Sequence, residues 1–116
     1  MSFKFEKIIV WQRAMDFGES IFVLSKKFPE EEKFNLRSQI CRAVDSIALN
    51  IAEGSILQSK PGFQRFLGYS IRSLAKVVTC LNKAKNRKYI SETEFDFQYK
   101  FAFDLMNSLI AFRNKL

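Results

Sequence analysis

Six residues in one stretch of the chain carry its strongest chemical signal: Arg65, Tyr69, Arg72, Lys76, Lys83 and Arg87. At about 100° per residue the five cations fall within roughly 60° of one another on a helix, with the Tyr69 ring among them. No acidic residue occurs between Glu53 and Glu92, an interval that holds Lys60, Arg65, Arg72, Lys76, Lys83, Lys85, Arg87 and Lys88. The whole chain has 19 Lys plus Arg against 12 Asp plus Glu, a formal charge of +7. Outside that interval it is close to neutral, with eleven basic and twelve acidic residues. Solvated helix faces usually mix signs, because a Glu and Lys pair at i, i+4 stabilises a helix by about 0.2–0.5 kcal/mol and like charges oppose it by a similar amount. A row 22 residue steps long spans about 33 Å, enough to meet several successive backbone phosphates of RNA or DNA. Tyr69 adds a ring on which a base can stack. The alternatives are an acidic protein partner and a plain solvated face. No zinc-finger, RRM or helix-turn-helix pattern is present, so nucleic-acid contact would be directed to phosphate and shape rather than to base sequence.

Other chemistry is poorly supplied. The chain has no histidine, which removes the usual base of hydrolytic triads, the usual general acid-base group and a principal metal ligand. Cys41 and Cys80 stand alone, outside any CxxC, and read as buried thiols rather than as a zinc site or a disulfide. Neither a metal nor a cofactor is expected. Arg42, Asn50 and Glu53 form the one polar cluster that resembles a pocket, and it contains no nucleophile paired with a base. The sequence therefore reads as that of a protein without enzymatic activity. It offers no run of about 20 apolar residues and no signal-peptide plan at its start, which points to a cytoplasmic protein with no membrane contact.

Four helices must position these groups. With 13 Phe, 4 Gly and 2 Pro, the 116 residues are too apolar for a disordered chain and too poor in turn formers for a many-stranded β fold. Residues 1–116 read as one domain. The first helix covers about Ile8 to Lys27, with Val10, Ala14, Phe17, Ile21, Leu24 and Phe28 on one stripe, and Phe28-Pro29 closes it. The acidic run Glu30-Glu31-Glu32 suits the positive end of a following helix. That second helix runs from Asn35, the expected N-cap, to about Leu57, with Leu36, Ile40, Val44, Ile47 and Ile51 inward. Ser59 caps a third helix with Pro61 just inside its start, reaching about Arg87 and burying Phe63, Phe66, Ser70, Leu74, Val77, Leu81 and Ala84. Ser91 and Glu94 form a capping box for a fourth helix to about Asn114, through Phe95, Tyr99, Ala102, Met106 and Leu109. Short connections make sequential helices antiparallel neighbours, hence an all-α, up-down-up-down four-helix bundle.

Apolar residues outnumber the places such a bundle has to hide them. Trp11, Met15 and Phe22 lie beside the first stripe, and Phe97, Phe101, Phe103, Leu105, Ile110 and Phe112 extend around the fourth helix. Surplus rings imply a partner, and self-association is the expectation. The second helix carries Gln39, Arg42, Ser46, Asn50 and Glu53 opposite its core stripe, with Leu49 in the same row. That row is either a solvent face or a subunit seam in which Arg42 meets a carboxylate such as a neighbouring Glu53.

The segment from Ser38 to Gly54, above all Asn50-Ile51-Ala52-Glu53-Gly54, resembles the signature of a bacterial family named for proteins encoded in 23S rRNA intervening sequences. Val10-Trp11-Gln12-Arg13-Ala14 resembles the family's opening, Phe28-Pro29 with Glu32 and Leu36 its approach to the signature, and Phe63, Phe66-Leu67 and Ser73-Leu74 its third helix. The resemblance implies a four-helix bundle, a ring-like homopentamer and no known catalysis. The family is in turn similar to accessory proteins of diversity-generating retroelements, which bind nucleic acid and a reverse transcriptase through a basic surface, so a reverse transcriptase or another protein is an implied partner. Despite an older ribosomal label, the resemblance implies no place in the ribosome. Cys41 replaces a second arginine common beside Arg42, and Lys76 replaces a frequent Glu, which makes the third helix more basic than the family's usual pattern.

Overall fold

Capping chemistry fixes the ends of the helices in the computed structural model, which describes residues 1–116. Helices α1 (Ile9–Ser25), α2 (Leu36–Ser55), α3 (Lys60–Asn86) and α4 (Glu92–Lys115) are joined by short turns, with 3-10 turns at Lys4–Lys7 and Glu30–Glu32. Ser59 Oγ accepts from the Gly62 N–H at the start of α3. At the start of α4 the Ser91 hydroxyl accepts from the Glu94 N–H and the Glu94 carboxylate accepts from the Ser91 N–H, the reciprocal pair expected from the sequence. The start of α2 differs from expectation. Asn35 makes no capping bond; its amide donates to Glu32, and the Glu32 carboxylate itself accepts from the Leu36 N–H. A carboxylate one turn upstream has displaced the neutral amide, since a charged acceptor binds a helix-end N–H more strongly.

Each helix packs on its sequence neighbours and α4 closes on α1, with no packing across the diagonals. The result is a four-helix bundle of 44 × 24 × 23 Å with no strand. All eleven core positions expected on the first two helices are buried. On α3, Leu67 is fully buried while Phe63 and Phe66 are half-buried. Helices α2 and α3 approach closely at Gly54, where a Cβ would stand 2.7 Å from Phe66 Cβ and 2.9 Å from a Phe63 ring atom. Ser70 ties the same pair of helices by donating from its hydroxyl to the Ile47 carbonyl at 2.8 Å.

Helix α4 is rotated relative to the expected stripe. Phe95, Gln98, Ala102, Leu105 and Leu109 are buried, whereas Tyr99 is exposed and Met106 half-buried. The physical reason is the close fit of Leu105 and the bond from Gln98 Nε2 to Ser20 Oγ of α1, which together hold an inward face one step round from the aromatic one. Leu105 is therefore core rather than surplus.

Candidate nucleic-acid interface and apolar groove

The acid-free segment folds into a single uninterrupted helix of 27 residues, so its cations are carried on one rigid rod. Arg65, Arg72, Lys76 and Lys83 are all exposed and none is in an ion pair. Tyr69 lies among them with its ring edge against Phe66, and the Arg72 guanidinium sits 5.6 Å from the Tyr69 ring centre. The Phe66 ring and the Arg72 guanidinium thus flank Tyr69.

Arg87, the sixth residue of the expected row, is committed elsewhere. It follows the last turn of α3, and its guanidinium bridges the buried Glu32 carboxylate at 3.0 Å. The Tyr89 hydroxyl donates to the same carboxylate oxygen at 2.7 Å. Those contacts, with the Leu36 and Asn35 donors, hold the Glu32 carboxyl below its ordinary value, the Tyr89 hydrogen bond being the largest influence. The chain reaches this junction through Lys88, whose positive φ of 63° makes the left-handed turn that ends α3. The free row is thus four cations and one ring, from Arg65 to Lys83.

The face between α1 and α2 has the opposite character. An apolar groove of about 640 Å³ is lined by Trp11, Met15, Gly18 and Phe22 from α1 and by Cys41, Ala48, Leu49 and Ala52 from α2. Its rim carries Glu19 and Asp45. Burial, and secondly the charge of Glu19, push the Asp45 carboxyl above its ordinary value. Neither carboxylate has a salt-bridge partner. Trp11, Met15, Phe22 and Leu49, expected from their spacing to face a partner, share this one groove. The signal was there in Ala14 with Gly18 and Ala48 with Ala52, small residues at i, i+4 on adjacent helices that leave a channel.

The remaining sites fall less neatly. Phe101 and Phe112 turn inward, with ring centres 4.8 Å from Phe17 and 5.7 Å from Phe63, so much of each ring is used within the chain. Cys80 is buried as expected, and burial raises its thiol. Cys41 is only half-buried and borders the groove, because α1 does not close over α2 at that level. In the α2 polar row, Ser46 donates to the Arg42 carbonyl and Asn50 to the Ser46 carbonyl, while Gln39 donates to Asn35. Arg42 and Glu53 are exposed and without ion-pair partners. No group of three or more Cys, Asp or Glu residues is placed to hold a metal ion, and no helix is long and apolar enough to cross a membrane.

The chain is similar to a crystal structure of a protein with unknown function from the S23 ribosomal protein family of Bacteroides thetaiotaomicron. That likeness has a TM-score of 0.84 at 23% identity, over 90% of this chain and 98% of the other, and it supports the fold alone. No curated protein matches significantly. The family profile described as 23S rRNA-intervening sequence protein matches residues 6–111, which takes in the signature segment and parts of all four helices. By that match, the chain belongs to the 23S rRNA-intervening sequence protein family.

Proposed function

We propose that this protein is a non-enzymatic, oligomeric nucleic-acid-binding bundle that engages RNA, or DNA, through backbone phosphates. The observation that carries the reading is the α3 row: four exposed cations, none neutralised within the chain, on a helix with no acidic residue. From Arg65 to Lys83 they cover 18 residue steps, about 27 Å along the helix. Tyr69 supplies a stacking surface. If all four cations meet duplex phosphates, log K falls with log salt at a slope of about −3.6, from about −0.9 per contact. Filter binding or fluorescence anisotropy across a salt series measures that slope. No binding at low salt, or binding unchanged when Arg72 and Lys76 become Glu, overturns the reading.

Oligomerisation would multiply weak contacts by avidity. Exposed Met15, Phe22 and Leu49 around the groove support a subunit interface there, with Trp11 behind them. Arg42 and Glu53, both lacking partners, are proposed to pair between subunits, with Gln39, Ser46 and Asn50 beside them; the pentamer is the number implied by the family resemblance. The same apolar surface favours a second reading, an assembly module that recruits another protein such as an acidic partner or a reverse transcriptase. Capture of such a protein after nuclease treatment, with no direct affinity for nucleic acid, would favour it.

A further inference from the structure

A second cavity, of about 640 Å³, opens between α1 and α4. Along α1 its lining runs from Glu19 to Lys27, about 12 Å of helix. The antiparallel α4 meets the first end with Gln98 and the second with Glu94. The second end is settled. Lys27 and Glu94 form an ion pair there, and the Glu94 carboxylate also accepts from the Ser91 N–H. Val23, Leu24 and Phe97 make apolar walls between the ends, and Val23 and Phe97 are each 62% exposed.

The first end is not settled. Gln98 is 5% exposed, and its Nε2 donates to Ser20 Oγ at 2.7 Å, but its Oε1 has no partner. In the whole chain it is the one buried side-chain polar atom in that state. A leucine or methionine at this position would fill the space without shutting an acceptor away from both water and donors, and such an orphan carries the full cost of its desolvation. Glu19, which lines the same end, is exposed and has no ion-pair partner. Two acceptors, one neutral and one charged, therefore lack donors at this end, and the one cation lining the cavity is already held by Glu94.

We propose that this cavity binds a small primary amine, its ammonium group donating to Gln98 Oε1 and to Glu19 while its apolar stem lies along Val23, Leu24 and Phe97. An ammonium brings three donors and one positive charge, so a single group answers both needs. Glu19 supplies the countercharge and Gln98 a directed bond, the pairing of one charged and one placed polar group with apolar walls that small-molecule sites use. A metal ion does not fit, because no group of three or more ligating side chains is placed to hold one. An anion would meet Glu19 with no free cation to offset it. The proposal rests on neither the phosphate-binding nor the oligomeric reading.

Hexylammonium, titrated into the full-length natural chain and followed by amide NMR, tests it. Saturable shifts are expected at the Gln98 side-chain amide and at Ser20, Val23 and Phe97. Hexanol keeps a donor but loses the charge and should bind about tenfold more weakly, and hexanoate should not bind. Glu19→Gln changes an exposed residue without a partner, leaves the fold intact and should weaken hexylammonium about tenfold. Gln98→Leu with Ser20→Ala replaces both sides of the internal bond with apolar groups, and should lose affinity by a similar factor while circular dichroism shows the helices retained. If that pair fails to fold, Glu19→Gln and the ligand series still decide. Absence of saturable shifts, hexanol binding as tightly as hexylammonium, or unchanged affinity in Glu19→Gln overturns the proposal. A lysine blocked at both its amino and carboxyl ends presents the same ammonium but adds two peptide groups for which Val23 and Phe97 offer no partner, so it is expected to bind more weakly. Tighter binding by the blocked lysine would make the occupant a protein side chain and overturn the small-amine assignment.

Discussion

Helix α3 and the α1/α2 groove are both surfaces that the single chain leaves unsatisfied, and they are unsatisfied in opposite ways. The helix concentrates charge of one sign and gives up the i, i+4 pairs that would stabilise it. The groove concentrates apolar area and sets two carboxylates at its rim, where burial already works against the ionised form of Asp45. A polyanion is attracted to the first and repelled from the second. Under the proposed function the contrast divides the labour: phosphate is assigned to α3, and a packed protein surface to the groove.

Reversing charge on one surface alone gives the largest expected separation. Arg72→Glu with Lys76→Glu should lower nucleic-acid affinity by about a hundredfold at low salt and cut the salt slope to about half, while sedimentation stays that of the natural chain. Loss of assembly in that variant would mean that the two surfaces are not separable. Glycine substitutions sharpen the contrast between what the fold needs and what the groove needs. Gly54→Ala should cost about 1–3 kcal/mol in denaturant unfolding, because the new methyl must displace Phe66 or Phe63. Gly18→Ala should instead raise the stability of a monomeric background by up to about 1 kcal/mol, since nothing in the chain obstructs it. The smallest effect is on acid stability. The Glu32 and Glu94 carboxyls are held below their ordinary value of 4.5, Glu32 chiefly by Tyr89 and Glu94 chiefly by Lys27. A depressed folded value means that their contribution is complete above about pH 4.5 and is lost as pH falls through the folded values. Thermal midpoints in Glu32→Gln should accordingly fall less between pH 5 and pH 3 than in the natural chain.

The bundle was legible in the sequence because its punctuation is strong. Pro29, Ser59-Lys60-Pro61 and the Ser91/Glu94 box mark ends that the structure reproduces to within about three residues. The rotation of α4 was not legible, because Tyr99 and Met106 follow a helical period as well as Leu105 does, and only packing against α1 and α3 distinguishes the stripes. Exposure of the four cations from Arg65 to Lys83 followed from composition and period. The fate of Arg87 did not, because Glu32 lies 55 residues away and meets it only once α2 and α3 are packed. The groove was legible residue by residue but not as a cavity, since a channel between two helices depends on their separation.

The Glu32 junction has a consequence for ligand affinity as well as for the fold. Its carboxylate holds the guanidinium that would otherwise extend the α3 row by another turn. Phosphate and carboxylate are thus rival acceptors for one arginine, and by linkage whatever favours either claim weakens the other. Replacing Glu32 with Gln releases Arg87 and should steepen the salt slope from about −3.6 toward −4.5 while loosening the start of α2. Under the proposed function, the residue that anchors the turn between α3 and α4 would also limit how firmly the helix could grip a polyanion.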